Sequence, residues 1–345
     1  MGRKFLWASL VLAPVAFAAD LLHAGDVALF VFAAVALVPL AWLIGEATEH
    51  AAGHTGPGIG GFLNASFGNA PELIIALLAV SDGLPNVVRG SLTGSVVSNI
   101  LLVLGVALFA AGEGRLDRPS LLAQLGLVVV AVLAFLIPSV PGFHGDPERH
   151  SLAVVGIPVS LVLLALYVGV TAANLRRHRR LHAASGEVPT GWSLPAALGT
   201  LAVATAATAL ISEILVHSLD AFAKAAGLSE FFVAAVIVAI VGNAAEHGGA
   251  IVIARRGNVR LATEIAVSSS AQVGLLVTPA VALLSFAVTP ALSLAFRPIE
   301  LAAMGAAAVF VGFVIHDGKA RRWEGVLLVA VYAAVVAGFW VAGDR

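Results

Sequence analysis

The 345-residue sequence has no cysteine, only 11% charged residues and 7% aromatics. Without cysteine there is no disulfide, no thiolate metal site and no thiol nucleophile. A soluble chain of this size carries about a quarter charged residues, so the shortage of charge excludes an ordinary water-facing surface. The net charge of −1 leaves no basic excess for a nucleic-acid partner. What is present instead is apolar: 60% of residues are hydrophobic and the mean hydropathy is +1.00. Ala, Val, Leu and Gly dominate, and small residues let membrane helices approach closely. An all-α polytopic membrane protein accounts for both the missing charge and the recurring apolar runs.

Apolar stretches punctuated by Gly, Pro or charge fall at 5–22, 27–48, 59–81, 86–111, 119–140, 151–174, 193–217, 228–254, 260–286, 296–315 and 324–342. Each is long enough to cross a hydrocarbon core of about 30 Å as a helix, which predicts about 11 spans. The first also has the marks of a cleavable signal peptide, with Arg3 and Lys4 ahead of an apolar run and the small residues Ala16-Phe17-Ala18-Ala19. Its length favours a retained helix. Sorted by alternate loops, 14 Lys and Arg residues fall on one side and 5 on the other. The positive-inside rule then predicts a cytoplasmic N-terminus and an external C-terminus. Compact loops without targeting extensions point to a prokaryotic cytoplasmic membrane.

The chain repeats itself. Gly68-Asn69-Ala70-Pro71-Glu72 returns as Gly242-Asn243-Ala244-Ala245-Glu246, an offset of 174. The same offset pairs Ser95 with Ser269 and Ser98 with Gln272, while Glu46 and His50 match Glu213 and His217 at an offset of 167. Five spans per unit is an odd number, so the second copy must lie inverted in the membrane, as in secondary transporters with a midplane site. The expected division is an N-terminal helix at 1–24, a first five-helix repeat at 25–175, a basic cytoplasmic linker at 176–191, and an inverted second repeat at 192–345.

An ionised carboxylate deep in a membrane is expensive and calls for a role. Glu72 and Glu246 stand behind matched Gly-Asn pairs, where Gly68 and Gly242 permit a helix break and Asn69 and Asn243 would cap a restarted helix. Pro71 suits the first turn of that helix, and the glycines before Glu72 suggest an interrupted segment. Freed carbonyls plus two carboxylates make a hard oxygen site, and Ca²⁺ accepts 6–8 such ligands at about 2.3–2.6 Å. Asn69, Asn243, Ser95, Ser98, Ser269 and Gln272 would supply or orient further oxygens. The same acids can hold protons when the cation is absent, so cation and proton would compete for one site. Glu46, Glu213 and His247 are candidates for gating or proton relay.

Plainer readings stand beside these. Glu46, Glu213, His50 and His217 lie near predicted helix ends and suit an interface; His247 could be a structural donor, and the serines could be interhelical glue. Glu264, Glu300, Glu324 and the loop aspartates read as surface charges. The run Arg176–Arg180 reads as a topology signal.

At the paired GN-x-x-E motifs, GNAPELI at 68–74 and GNAAEHGGAI at 242–251, the chain resembles the cation/proton exchangers of the Ca²⁺/cation antiporter superfamily. The stretches 42–50, 91–105 and 268–279 share the resemblance. It implies Ca²⁺/H⁺ antiport without a cofactor, Ca²⁺ being the transported substrate, with Glu72 and Glu246 as central ligands. Asn69, Asn243, Ser98 and Gln272 would line the site, and Glu46 and Glu213 would flank it. Sodium-coupled relatives tend to carry GTS-type motifs with extra acids, so two GN-x-x-E motifs favour protons. Two departures are the basic rather than acidic linker at 175–190 and Arg89, where the family often has Gln. A sodium-coupled exchanger of the same fold is the nearest alternative. A passive channel and an intramembrane metal-dependent hydrolase are more remote, and no HExxH motif is present.

Overall fold

In a bilayer no water satisfies backbone N–H and C=O groups, so a spanning segment must bond within itself. The structure, a computed structural model, describes residues 2–181, 191–288 and 291–344, and nearly all of it is helix. Most of the predicted linker and Arg345 lie outside the described residues.

The first half opens with α1 (Gly2–Ser9) and α2 (Leu12–Leu21), then α3 (Asp26–Gly68) and, after a break at Asn69, α4 (Ala70–Ser81). Helices α5 (Pro85–Val97) and α6 (Leu104–Ala111) form one rod through a π-helical turn, Ser98–Val103. After strand β1 (Gly114–Arg115) come α7 (Arg118–Gly142) and α8 (His150–Leu181). The second half follows the same plan. It begins with α9 (Leu194–Ala226), then α10 (Glu230–Phe232), a π-helical turn at Val233–Val238 and α11 (Ala239–Gly242). After a break at Asn243 comes α12 (Ala244–Arg255). Helices α13 (Val259–Gln272) and α14 (Thr278–Leu284) are again joined through a π-helical turn, Val273–Val277. The chain ends with α15 (Pro298–Val314), strand β2 (Lys319–Ala320) and α16 (Arg322–Ala342). Local chemistry sets several starts: Asp117, Ser193, Ser229 and Asn258 accept backbone N–H groups at the N-caps of α7, α9, α10 and α13.

Eight described helices are long and apolar enough to cross a membrane, or nine when the pair bent by 59° at Asn243 counts as one span. The eleven separate spans predicted from sequence are not all recovered as such. Helix α3 continues through the loop expected between 48 and 59, while α4 and α15 have only 12 and 17 residues. At 43 residues, a straight α3 would measure about 65 Å, more than twice the hydrocarbon core, so only part of it crosses.

Helices α3 and α9 run antiparallel. Phe30 near the start of α3 stacks on Phe222 near the end of α9, and Leu43, Ile44 and Ala47 pack with Leu201 and Ala204 at the other end. Polar and aromatic contacts gather at the two ends of the bundle. On one face β1 pairs with β2, Arg260 with Asp117, and Trp192 with His50 and His54. On the other face Arg89 pairs with Glu148, His217 with Asp82, and Asp344 accepts from the backbone of Glu230 and Phe231.

Glu300 and Glu324 are not surface charges; each is 1% exposed. Both sit three residues inside a helix, accept the N–H of the preceding cap residue, and pair with its guanidinium, Arg297 or Arg321. A carboxylate that closes a helix start in this way is satisfied without water. Arg89 is likewise buried completely inside α5.

Candidate functional site

The two breaks bring the repeated motifs face to face. Glu72 lies in the first turn of α4 and Glu246 in the first turn of α12, so each carboxylate stands near the partly positive N-terminal end of its helix. Their packing is reciprocal. A Cβ placed on Gly242 would lie 3.5 Å from Oε1 of Glu72, and one on Gly68 would lie 3.5 Å from Oε1 of Glu246. Each half thus supplies the glycine over which the other half's acid lies, and a methyl there would already touch the carboxylate at van der Waals distance.

The asparagines do something other than what their position suggests. Neither Asn69 nor Asn243 caps the helix that follows it. Instead Asn69 Nδ2 donates to Gln272 Oε1 at 2.8 Å, and Asn243 Nδ2 donates to Ser95 Oγ at 2.8 Å. Each ties the break in one half to the π-turn rod of the other. Ser269 Oγ donates to Glu246 Oε2. Ser98 is buried and bonds to the carbonyl of Ser95, one turn back. Glu72 Oε2 is buried and accepts no hydrogen bond among the described residues.

A residue missed by sequence reasoning ties these together. Asn99 Nδ2 donates to Asn243 Oδ1 at 3.2 Å and to Ser269 Oγ at 2.9 Å, while its Oδ1 lies 3.0 Å from His247 Nε2. Its offset partner is Val273, so a search for residues polar in both halves passes it over. The π-helical turn starting at Ser98 was the available signal, since such turns cluster at functional sites.

The flanking acids do not touch the central pair in this arrangement. Glu46 sits 3.4 Å from His50, whose ring stacks on Trp192. Glu213 lines a cleft of about 260 Å³ with Asp20, Asp26 and His217, and His217 lies 3.2 Å from Asp82. Because α3 and α9 are antiparallel, these two Glu-x-x-x-His pairs occupy opposite ends of the helix pair. No group of three or more His, Asp or Glu converges to hold a metal among the described residues. Any cation at the centre would therefore draw on two carboxylates plus neutral oxygens.

The sodium/calcium exchanger protein family model matches residues 26–176 and 196–341, one segment in each half. The chain belongs to this family. It is 36% identical over 352 residues to the Ca(2+)/H(+) antiporter ChaA of Bacillus subtilis (strain 168), covering 99% of this chain and all of that one. It is similar to the solved structure of native YfkE at 34% identity and a TM-score of 0.84, covering 97% and 99% of the two chains. The crystal structure of the H+/Ca2+ exchanger CAX shares the fold, with a TM-score of 0.77 at 18% identity. In this exchanger-family chain, the two matched segments each contain one Gly-Asn break followed by a π-turn rod.

Proposed function

We propose that this protein is a secondary active transporter that exchanges Ca²⁺, or another divalent cation in its place, for protons by alternating access. One observation carries the reading: two carboxylates from opposite halves converge in the protein interior, each packed over the other half's glycine. Two buried anions without compensation are costly. A dication neutralises both at once, and so do protons; the two loads therefore exclude each other. Its relationship to Ca²⁺/H⁺ antiporters supports protons as the coupling ion.

In this reading Glu72 and Glu246 bind the cation or protons with Asn69 and Asn243. Gly68 and Gly242 give the acids room, and Ser95, Ser98, Ser269 and Gln272 line the site. Glu46, Glu213 and His247 serve gating or proton relay, with α3 and α9 as the moving helices. The halves divide at 25–175 and 192–345 about a linker at 176–191, with residues 1–24 as an added helix. We place the protein in a prokaryotic cytoplasmic membrane on its compact loops, with the N-terminus inside and the C-terminus outside on the 14-to-5 basic asymmetry.

The test is flux in liposomes with entrapped Ca²⁺ indicator, an imposed proton gradient and no Na⁺, for wild type, Glu72→Gln and Glu246→Gln. Proton-driven Ca²⁺ flux abolished by either substitution is the expected result. Flux that appears only on adding Na⁺ would move the protein to sodium coupling, and no flux under either gradient would refute the transport claim.

A further inference from the structure

The two halves match at Ser95 and Ser269, but Ser91, one turn earlier on α5, corresponds to Ile265 on α13. This difference falls beside Glu72. A small cavity lies among Glu72, Ser91, Ser95 and Gly242, with about 10 Å³ available to the centre of a water-sized sphere. That is room for about one water molecule.

The polar groups around it suit a water. Ser91 Oγ donates to Val88 O at 3.0 Å, which leaves its lone pairs to accept. Ser95 Oγ accepts from Asn243 Nδ2, which leaves its own proton to donate. Glu72 Oε2 is buried and accepts nothing among the described residues. A water here donates to Glu72 and Ser91 and accepts from Ser95, about the three bonds usual for a buried water. Glu246 differs, because Ser269 already donates to its Oε2.

We propose that Ser91, Ser95 and Glu72 hold one water, and that this water makes Glu72 the carboxyl through which a proton first enters or leaves the central pair. The inference rests on the exchange function proposed above. On release the Glu72 proton passes to the oxygen of the bound water as that water gives one of its own to a solvent water on the side of Ser91, which is 8% exposed; uptake runs the reverse way, so neither charge nor atoms are lost. Of the charged groups on elements packed against α4, Glu246 on α12 faces Glu72, with His247 beside it bonded to Asn99. On α9 stand Glu213, His217, the latter against Asp82, and the paired Asp220 and Lys224; on α3 stand Asp26, Glu49, His54 and Glu46, the last held to His50; on α5, Arg89 is held to Glu148. Helices α11 and α14 and the short 3₁₀ turn Ser285–Ala287 carry no charged residue. Glu72 is the one ionisable residue among those lining the cavity.

The experiment compares wild type, Ser91→Val, Ser91→Thr and Ile265→Ser in liposomes, reading proton-driven Ca²⁺ flux against pH, the Ca²⁺ KM and the solvent deuterium isotope effect. Ser91→Val should slow proton-driven flux by about a hundredfold, the lower end of what a positioned proton-transfer partner contributes. It should also alter the pH profile and isotope effect while leaving the Ca²⁺ KM within about twofold, a shift too small to mark a lost ligand. Ser91→Thr, which keeps the hydroxyl, should restore the profile, and Ile265→Ser should leave it unchanged. A wild-type pH profile and isotope effect in Ser91→Val would overturn the proposal; so would a KM rise with an unchanged pH profile, which would make Ser91 a cation ligand. Wild type lacking proton-driven flux would instead refute the exchange function on which the inference rests.

Discussion

Gly94→Ala tests the closest approach between the halves. A Cβ on Gly94 would lie 1.9 Å from Ala235 O, 2.6 Å from its carbonyl carbon and 2.8 Å from its Cα. All three are backbone atoms, so no rotamer change relieves the clash. Restoring contact at about 3.5 Å forces α5 and the Val233–Val238 turn apart by more than about 1 Å. Overpacking of this kind costs about 1–3 kcal/mol, which a protein with about 5–15 kcal/mol of stability survives. The binding site is less forgiving, because its groups need to stay within about 0.5 Å of their working positions. Ser95 is the next residue and receives the Asn243 hydrogen bond. Gly94→Ala should therefore fold with a reduced thermal midpoint and raise the Ca²⁺ KM by about tenfold or more, some 1.4 kcal/mol. Gly325→Ala is the control: its Cβ would meet Gly105 O at 2.4 Å and Phe109 N at 2.6 Å, between α16 and α6, away from the acids. It should lower the thermal midpoint and keep the KM. A Gly94→Ala protein with wild-type KM, or a Gly325→Ala protein with an equally raised one, would refute the reasoning.

Asn99→Ala leaves His247, Asn243 and Ser269 each short of a bond, at about 1–3 kcal/mol for each buried group left unpaired; thermal unfolding should register the loss, and an unchanged midpoint would count against the network. Breaking the Arg89–Glu148 pair, 2.6 Å apart, should cost unequally, because Arg89 is buried while Glu148 is 32% exposed. Glu148→Gln strands a buried guanidinium and should destabilise more than Arg89→Gln, with the double variant close to Arg89→Gln alone; thermal midpoints of the three variants decide it.

Much of this architecture is legible in the chain because a membrane makes sequence explicit. Apolar length marks most of the helices, and the matched motifs mark the repeat. The Gly-Asn pairs mark the two breaks because glycine and asparagine are poor mid-helix residues. What escaped has physical reasons. Glu300 and Glu324 look like surface charges because nothing local marks the preceding Arg as a cap residue that will pair with each. Asn69 and Asn243 look like caps because the bonds they make instead, to Gln272 and Ser95, reach 203 and 148 residues along the chain. Arg89 looks like a loop charge until Glu148 and the backbone of Ser293 close around it.

Repetition predicts equivalence, and the site departs from it in a consistent direction. At the centre, Glu246 is held by Ser269 while Glu72 Oε2 accepts no bond among the described residues. Along α3 and α9, His50, beside Glu46, stacks on the indole of Trp192, whereas Glu213 and His217 share a cleft with Asp20 and Asp26. Three carboxylates around one opening raise the local concentration of cations; a stacked indole does not. An inverted repeat supplies two backbone arrangements of similar energy, which alternating access requires. Identical side chains in both halves would bind a cation equally well from either face, and a ligand with equal affinity for two states shifts neither. Substitutions that break the repeat, among them Ser91 against Ile265, Asn99 against Val273, Ser98 against Gln272 and Asp82 against Arg256, are therefore where a difference between the two faces arises.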